Sequence, residues 1–184
     1  MKNIFPIESP RLALRDFIPS DWKSVHDYGS DPMVVRFLPW GPNTPSQTKA
    51  FLRRVRRYRY DKPRTKFELA VILKDENRLI GGCGLRIRNT AIKEADLGYC
   101  FNRLDWGKHY ATEAARVLIE FGFSRLKLHR IWATCDPRNK GSARVLEKAG
   151  MRREGLLRKN MLQRGDWRDS YLYAILEGNR NKTR

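Results

Sequence analysis

The sequence predicts a mixed α/β fold: one sheet with helices on both of its faces. Two observations predict it. Seven short apolar or alternating segments read as strands, and four stretches read as helices. Their order is strand, two helices, three strands, helix, strand, helix, two strands. A meander followed by strand–helix alternation builds a layered sheet rather than a bundle or a sandwich. The 184 residues, 41% of them apolar, suit a single domain spanning 1–184, with its core at about residues 10–178 and a polar C-terminal tail.

Each element has a local cause. Arg11–Arg15 alternates and reads as the first strand. Ile18-Pro19-Ser20-Asp21-Trp22 starts a helix carrying Val25 and Tyr28, ended by Gly29 and Pro32. Thr44-Pro45-Ser46-Gln47 is a capping box with proline at the first helical position. The helix it opens has Phe51, Leu52, Val55 and Tyr58 on one stripe and arginines on the other. Phe67–Leu73 is a strand, Lys74–Asn77 a turn, and Leu79–Arg88 the returning strand, with Gly81-Gly82 marking a bulge or a close backbone approach. Ala95–Phe101 is another strand. Tyr110–Arg125 is the strongest helix, and its small residues Ala111, Ala114, Ala115 and Gly122 suit close packing on a sheet. Ile131–Cys135 is a buried strand. Asp136–Asn139 turns into a helix over Ser142–Ala149, closed by Gly150. Strands at Leu156–Leu162 and Ser170–Leu176 flank a Gly165-Asp166 turn, and Asn179–Arg184 is a polar tail expected to fray.

Composition narrows the function classes. No long apolar run spans a membrane, and residues 1–6 lack the apolar region of a signal peptide, so the expected compartment is the cytosol. Cys83, Cys100 and Cys135 lie far apart in strands and read as small buried hydrophobes, and no Cys/His cluster suggests a metal. Thirty-eight Lys and Arg against 20 Asp and Glu give a net charge of +18. Lys49–Lys66 holds nine basic residues and one acid, Asp61. Such a surface attracts anions, a ribosome or nucleic acid included, unless it is simply a solvated face.

The most informative stretch is residues 98–115, GYCFNRLDWGKHYATEAA. An apolar segment enters the turn Trp106-Gly107-Lys108-His109, then a helix with no side-chain cap. A helix start leaves N–H groups unpaired at the positive end of its dipole. A Gly/Lys turn there is suited to a pyrophosphate, so a nucleotide-like cofactor is expected. The spacing matches neither a P-loop nor a Rossmann fingerprint.

Asp96-Leu97-Gly98-Tyr99, followed by Trp106-Gly107-Lys108-His109-Tyr110-Ala111-Thr112-Glu113-Ala114, resembles the coenzyme-A loop of GNAT acetyltransferases, specifically the ribosomal-protein alanine/serine N-acetyltransferase branch. The resemblance runs from Arg11 to Leu176. It implies a mostly antiparallel seven-stranded sheet with a splayed central strand pair, acetyl-CoA as co-substrate, and no metal. The implied cradle is the backbone of Gly107, Lys108, His109, Tyr110, Ala111 and Thr112. His109 stands where the family usually has glycine. Its side chain is tolerated, contacts a phosphate or disables the site, and it is strained if that position needs φ > 0. By the same resemblance, Leu97 and Tyr99 belong to the strand whose freed backbone holds the pantetheine and the acetyl oxygen. Tyr99 and Phe101 also read as plain core.

Four further residues carry implied roles. Asp96 aligns with an acidic residue that deprotonates the amine, with a pKa raised by an apolar pocket; the alternative is a strand-end carboxylate facing solvent or a basic neighbour. Glu94 is a second candidate on the same face. Asn139 and Ser142 match the family's Asn-x-x-Ser element: Asn139 bridges cofactor and backbone, and Ser142 protonates the departing thiolate. Both also read as helix caps. The family's usual acid, a Tyr five residues on, is Glu147 here, and another acidic position falls near Met161. Trp167-Arg168-Asp169 either shapes a peptide-binding side or forms a turn-stabilising Arg168–Asp169 pair with Trp167 packed over it. Trp40 fits a substrate-side loop or an anchor for the first two helices.

The resemblance implies acetyl transfer to a primary amine by direct attack, since no Cys or Ser stands with a His as a nucleophile. The net charge and the branch favour a protein N-terminus, such as that of a ribosomal protein, as acceptor. Two readings remain beside it: a small-amine detoxifying acetyltransferase, and a non-catalytic ribosome- or RNA-binding protein using the arginine-rich helix with Phe51, Tyr58 and Tyr60.

Overall fold

A computed structural model describes residues 5–182. Its strands are β1 (Ile7–Glu8), β2 (Leu12–Asp16), β3 (Lys66–Leu73), β4 (Arg78–Asn89), β5 (Glu94–Phe101), β6 (Arg130–Cys135), β7 (Arg152–Gln163) and β8 (Asp166–Leu176). Its helices are α1 (Trp22–Gly29), α2 (Pro45–Arg57), α3 (Tyr110–Ser124) and α4 (Lys140–Lys148). The sheet order is β1-β2-β3-β4-β5-β6-β8-β7, antiparallel throughout except for β5 beside β6.

The described residues form eight strands where seven are expected. The extra one, Ile7–Glu8, is two residues long and has no alternation to read; its pairing with Ala13 and Leu14 makes it a strand. The tail differs too: Glu177–Lys182 is a 3-10 turn rather than frayed chain, tied by Glu177 N–H to His129 C=O at 3.1 Å. Thr183 and Arg184 lie outside the described residues.

Local chemistry sets the helix ends. Gln47 N–H donates to Thr44 Oγ1 at 3.2 Å and Thr44 N–H donates back to Gln47 Oε1 at 2.8 Å, closing the capping box that opens α2. Gly150, at φ 92, ends α4 in the left-handed conformation that glycine adopts freely. The slip between β3 and β4 leaves Ile80 unmatched, next to Gly81-Gly82.

Two apolar cores lie on opposite faces of the sheet. Phe17, Val25, Tyr28, Leu52 and Val55 pack under α1 and α2 on Ala70 and Ile72. The larger core joins α3 and α4 to Leu69, Leu85, Leu97, Ile131 and Tyr173. The arginine face of α2 is outside, and its aromatics are mostly engaged: Phe51 packs edge-on against Phe17 and Lys66 sits over Tyr58. Tyr60 alone of the three is widely exposed, at 67%. Cys83 and Cys135 are buried and Cys100 half-buried, all as free thiols.

Small residues let α3 approach the sheet. A Cβ on Gly122 would stand 2.7 Å from Ile131 Cδ1 and 3.1 Å from Leu128 Cδ1. Gly122→Val therefore costs about 2 kcal/mol through overpacking. Gly155→Ala, which meets nothing within 4 Å, stays within about 0.5 kcal/mol of the parent. Denaturant unfolding of the two variants checks the contrast.

Candidate active site

The site begins where two parallel strands part. β5 and β6 pair only through Glu94–Arg130, Ala95–Ile131 and Asp96–Trp132. β5 then runs on to Phe101, held by β4, while β6 runs on to Cys135, held by β8. From Leu97 onward the β5 edge facing β6 has no ladder partner. Buried backbone groups are rarely left unpaired, so this opening is fitted to a ligand with its own donors and acceptors.

One side-chain pair spans the gap. Tyr99 Oη lies 2.9 Å from Ser142 Oγ and donates to Ser142 C=O at 3.1 Å. Burial pushes the Tyr99 phenol well above its ordinary range, so it stays protonated at neutral pH. Asn139 caps α4: its Oδ1 accepts from Ser142 N–H at 3.1 Å. The structure thus brings Tyr99, Asn139 and Ser142 together. Glu147 is exposed and instead accepts from Tyr173 Oη at 3.0 Å.

Past the mouth of the gap, residues 102–109 lead to α3. Asp105 anchors them: its side chain is wholly buried, with Arg78 donating to both oxygens at 2.9 and 3.0 Å and Lys108 Nζ at 3.4 Å. Burial pushes the Asp105 carboxyl up, but the hydrogen bonds and charge of Arg78 outweigh it and hold it below its usual range. Trp106 Nε1–H donates to Phe101 C=O at 3.0 Å. A second anchor grips the first turn of α3. Glu113 accepts from Ser9 Oγ at 2.7 Å, Arg11 N–H at 3.0 Å and Arg11 Nε at 2.7 Å, and Arg11 also donates to Lys108 C=O at 3.2 Å. Arg11 also lies over the Tyr110 ring at 4.6 Å, fixing that side chain beside the helix start.

Between these anchors α3 starts without a side-chain cap. By helix geometry the N–H groups of Tyr110, Ala111 and Thr112 have no intrahelical acceptor. His109 is exposed and sits at φ 66, the left-handed conformation that glycine adopts without strain. Gly107, at φ 77, has nothing within 4 Å of a Cβ position. An uncapped helix start behind an open glycine turn fits a pyrophosphate.

On the α1/α2 face of the same strands lies a row of alternating charges. Arg86 donates to Asp96 Oδ2 from Nε at 2.8 Å and to Glu68 Oε1 from Nη1 at 2.9 Å, and Arg88 Nε donates to Asp96 Oδ1. Gly84 and Gly98 make room for it: a Cβ on Gly84 would meet Glu68 Oε2 at 2.6 Å, and one on Gly98 would meet Arg86 Nη2 at 2.8 Å. Asp96 therefore has both oxygens committed to guanidinium groups, the basic-neighbour alternative. Glu68 keeps Oε2 without a hydrogen-bond partner among the described residues. Burial raises the Glu68 pKa, and Arg86 offsets this only in part. Glu94 stands opposite Arg130 at the closed end of the pair, away from the gap.

Sequence reading missed Glu68, Arg86, Arg78, Asp105 and Arg11, whose partners are distant in sequence; Gly84 and Gly98 were the available signals. It also misplaced the Trp167-Arg168-Asp169 contacts. Arg168 pairs with Asp166 at 3.1 Å, Asp169 accepts from Lys159 N–H at 2.8 Å, and Trp167 is 60% exposed rather than packed over them. Arg168 and Asp169 are consecutive in β8, so their side chains project to opposite faces of the hairpin. Trp40 stands in the α1–α2 loop, near Gly29 at the end of α1.

Two stability tests follow from the loop anchors. Arg78→Ala strands a buried carboxylate and costs about 2 kcal/mol at pH 7, moderated because the guanidinium is 39% exposed. A depressed carboxyl stabilises above its unfolded pKa and loses that contribution as pH falls through its folded pKa. The gap to the parent therefore closes in acid, as urea titrations from pH 7 to pH 3 would show. At His109, glycine is neutral or stabilising, whereas His109→Val costs about 1 kcal/mol because a branched residue resists the left-handed conformation. Thermal melts of both variants distinguish the two.

Comparison with known proteins agrees with this geometry. Residues 11–152 match the family model described as an acetyltransferase (GNAT) domain. The uncharacterized N-acetyltransferase YnaD of Bacillus subtilis (strain 168) is 39% identical over 171 residues, covering 93% of this chain and 96% of that protein. The [ribosomal protein uS5]-alanine N-acetyltransferase of Escherichia coli (strain K12) is 28% identical over 177 residues, covering 92% and 89%. The crystal structure of a GNAT-family acetyltransferase from Bacillus anthracis superposes with a TM-score of 0.83 at 38% identity, covering 94% of this chain and 98% of that one. With its parted central strands and uncapped helix start, this chain belongs to the GNAT acetyltransferase family.

Proposed function

We propose that this enzyme moves an acetyl group from acetyl-CoA to a primary amine by direct attack, most specifically the N-terminal amine of a protein. The parting of β5 from β6 carries the reading. It exposes backbone donors from Leu97 to Phe101 beside an uncapped helix start, where a thioester and a pyrophosphate are both accommodated. The backbone of Gly107 to Thr112 takes the phosphates, and Asn139 orients the pantetheine arm. Support for a protein acceptor is the similarity to the uS5-alanine enzyme. The arginine face of α2 suits docking on an anionic body such as a ribosome.

The residues divide the proton work between the two faces. On the α1/α2 face, Glu68 accepts the proton of the attacking ammonium through its unpaired oxygen, directly or through water. Asp96 acts as a positioning residue: it fixes Arg86, which holds Glu68 over Gly84, one strand in from β5. The neutral amine then attacks. As the C–N bond forms and the C–S bond breaks, the Ser142 hydroxyl, linked to Tyr99, gives a proton to the leaving thiolate. Ser142 is reprotonated, through solvent, by the second proton that the new amide nitrogen sheds, while Glu68 returns its proton to water.

Thiol release from acetyl-CoA, measured with N-terminal peptides and with small amines, tests the assignment. Ser142→Ala lowers kcat about a hundredfold and leaves KM for acetyl-CoA within about twofold. Raised carboxyl pKa values delay ionisation, so the acidic limb of the kcat/KM profile lies above the ordinary glutamate range and disappears in Glu68→Gln. Asp96→Asn shifts that limb without abolishing it. An unchanged limb in Glu68→Gln, with loss of it in Asp96→Asn, would return the base role to Asp96. Turnover of small amines but no peptide would replace the acceptor assignment.

A further inference from the structure

A pocket of about 230 Å³ opens between the α1–α2 loop, the loop from β6 to α4 and the β7–β8 hairpin. Four arginines line it: Arg36, Arg138, Arg164 and Arg168, with Phe37 and Asp166. The loop that provides Arg138 continues directly into Asn139, the cap of α4, and on to Ser142, which meets Tyr99 at the gap.

The pocket is a built structure. Gln163 is buried, and its Nε2 donates to Arg36 C=O at 2.9 Å and Leu38 C=O at 2.7 Å, stitching the hairpin to the α1–α2 loop. Arg164 reinforces the seam by donating to Val35 and Gly41 C=O, both at 3.3 Å.

Its charge is only partly answered. Asp136 neutralises Arg138 through two hydrogen bonds of 2.8 and 2.6 Å. Asp166 makes one 3.1 Å contact with Arg168. Arg36 and Arg164 have no carboxylate partner among the described residues, and Arg36 rests over the Phe37 ring at 5.1 Å. Arg168 Nε is buried without a hydrogen-bond partner. A buried N–H left unpaired among clustered cations costs free energy that an anion would recover. Guanidinium forks match a carboxylate in geometry as well as in charge.

We infer that this pocket holds a carboxylate of the acceptor, so that the enzyme selects amines that carry a carboxylate. This inference rests on the acetyl-transfer reading for the amine alone; the pocket's preference is measured without turnover. The carboxylate belongs either to a small amino acid or to an acidic side chain near a peptide N-terminus, and the probes separate these sources. An acceptor with further positive charge in place of the carboxylate is disfavoured by the same arginines.

Calorimetry on the CoA-loaded protein compares two acid–amide pairs of product shape: N-acetylglycine against N-acetylglycinamide, and acetyl-Ala-Glu-Glu-Gly-amide against acetyl-Ala-Gln-Gln-Gly-amide. In at least one pair the acid binds about tenfold tighter than the amide, and that pair names the source. The double variant Arg36→Gln/Arg168→Gln removes the preference while its affinity for CoA stays within about twofold. Its far-ultraviolet spectrum and melting curve show that it is folded, and Arg168→Lys alone, which keeps charge but not the fork, gives an intermediate preference. Equal affinity within both pairs, binding of neither acid, a preference that survives the double variant, or displacement of the acid by lower concentrations of inorganic phosphate would each overturn the inference. Failure of CoA to bind would instead count against acetyl transfer, and the same pairs titrated into the free protein would still decide the pocket.

Discussion

Everything functional in this molecule depends on two parallel strands that stop pairing. After Asp96 and Trp132, β5 and β6 diverge, and each is retained only by its outer neighbour. The cost is a row of peptide groups without partners inside the fold. The remaining sheet bears that cost because β4 and β8 pair β5 and β6 along their full lengths, and because two separate apolar cores clamp the sheet from both faces. The gap is thus a rigid notch rather than a loose seam, which is what binding a thioester in one orientation requires.

The loop at the mouth of the notch shows the same economy. Its exposed part is left unsatisfied: no side-chain cap and a left-handed residue at the turn. Its hidden part is over-satisfied, with Asp105 gripped by Arg78 and Glu113 by Ser9 and Arg11. Strain at His109 persists because the anchors on either side fix the path of the chain between them. The two faces of the notch then differ in chemistry. One offers neutral hydroxyls, Tyr99 and Ser142, held protonated; the other offers buried carboxylates and guanidiniums. The sheet itself separates the two.

The sequence was most legible where the signal was local. Thr44 and Gln47 announce α2 because a capping box is read within four residues, and the small residues of α3 announce its close packing. The two-residue β1 carried no period to detect. Pairings across strands were the blind spot. Asp96 stands ten residues from Arg86, Arg78 is 27 residues from Asp105, and Tyr99 is 43 residues from Ser142. Periodicity says which face a residue occupies, but not which residue lies opposite on the next strand; that needs the register. Hence the sequence singles out Asp96 but not the two arginines that hold it, nor Glu68, which shares Arg86 with it.

The central claim is that a formed cradle, and not general positive charge, recognises the acyl donor. Calorimetric titration with acetyl-CoA at moderate and at high salt tests it most directly. A formed cradle gives saturable one-to-one binding that survives the salt, since backbone donors at α3 and along β5 are little screened. Binding that vanishes with salt, as for any polyanion on a surface of net charge +18, would contradict the account.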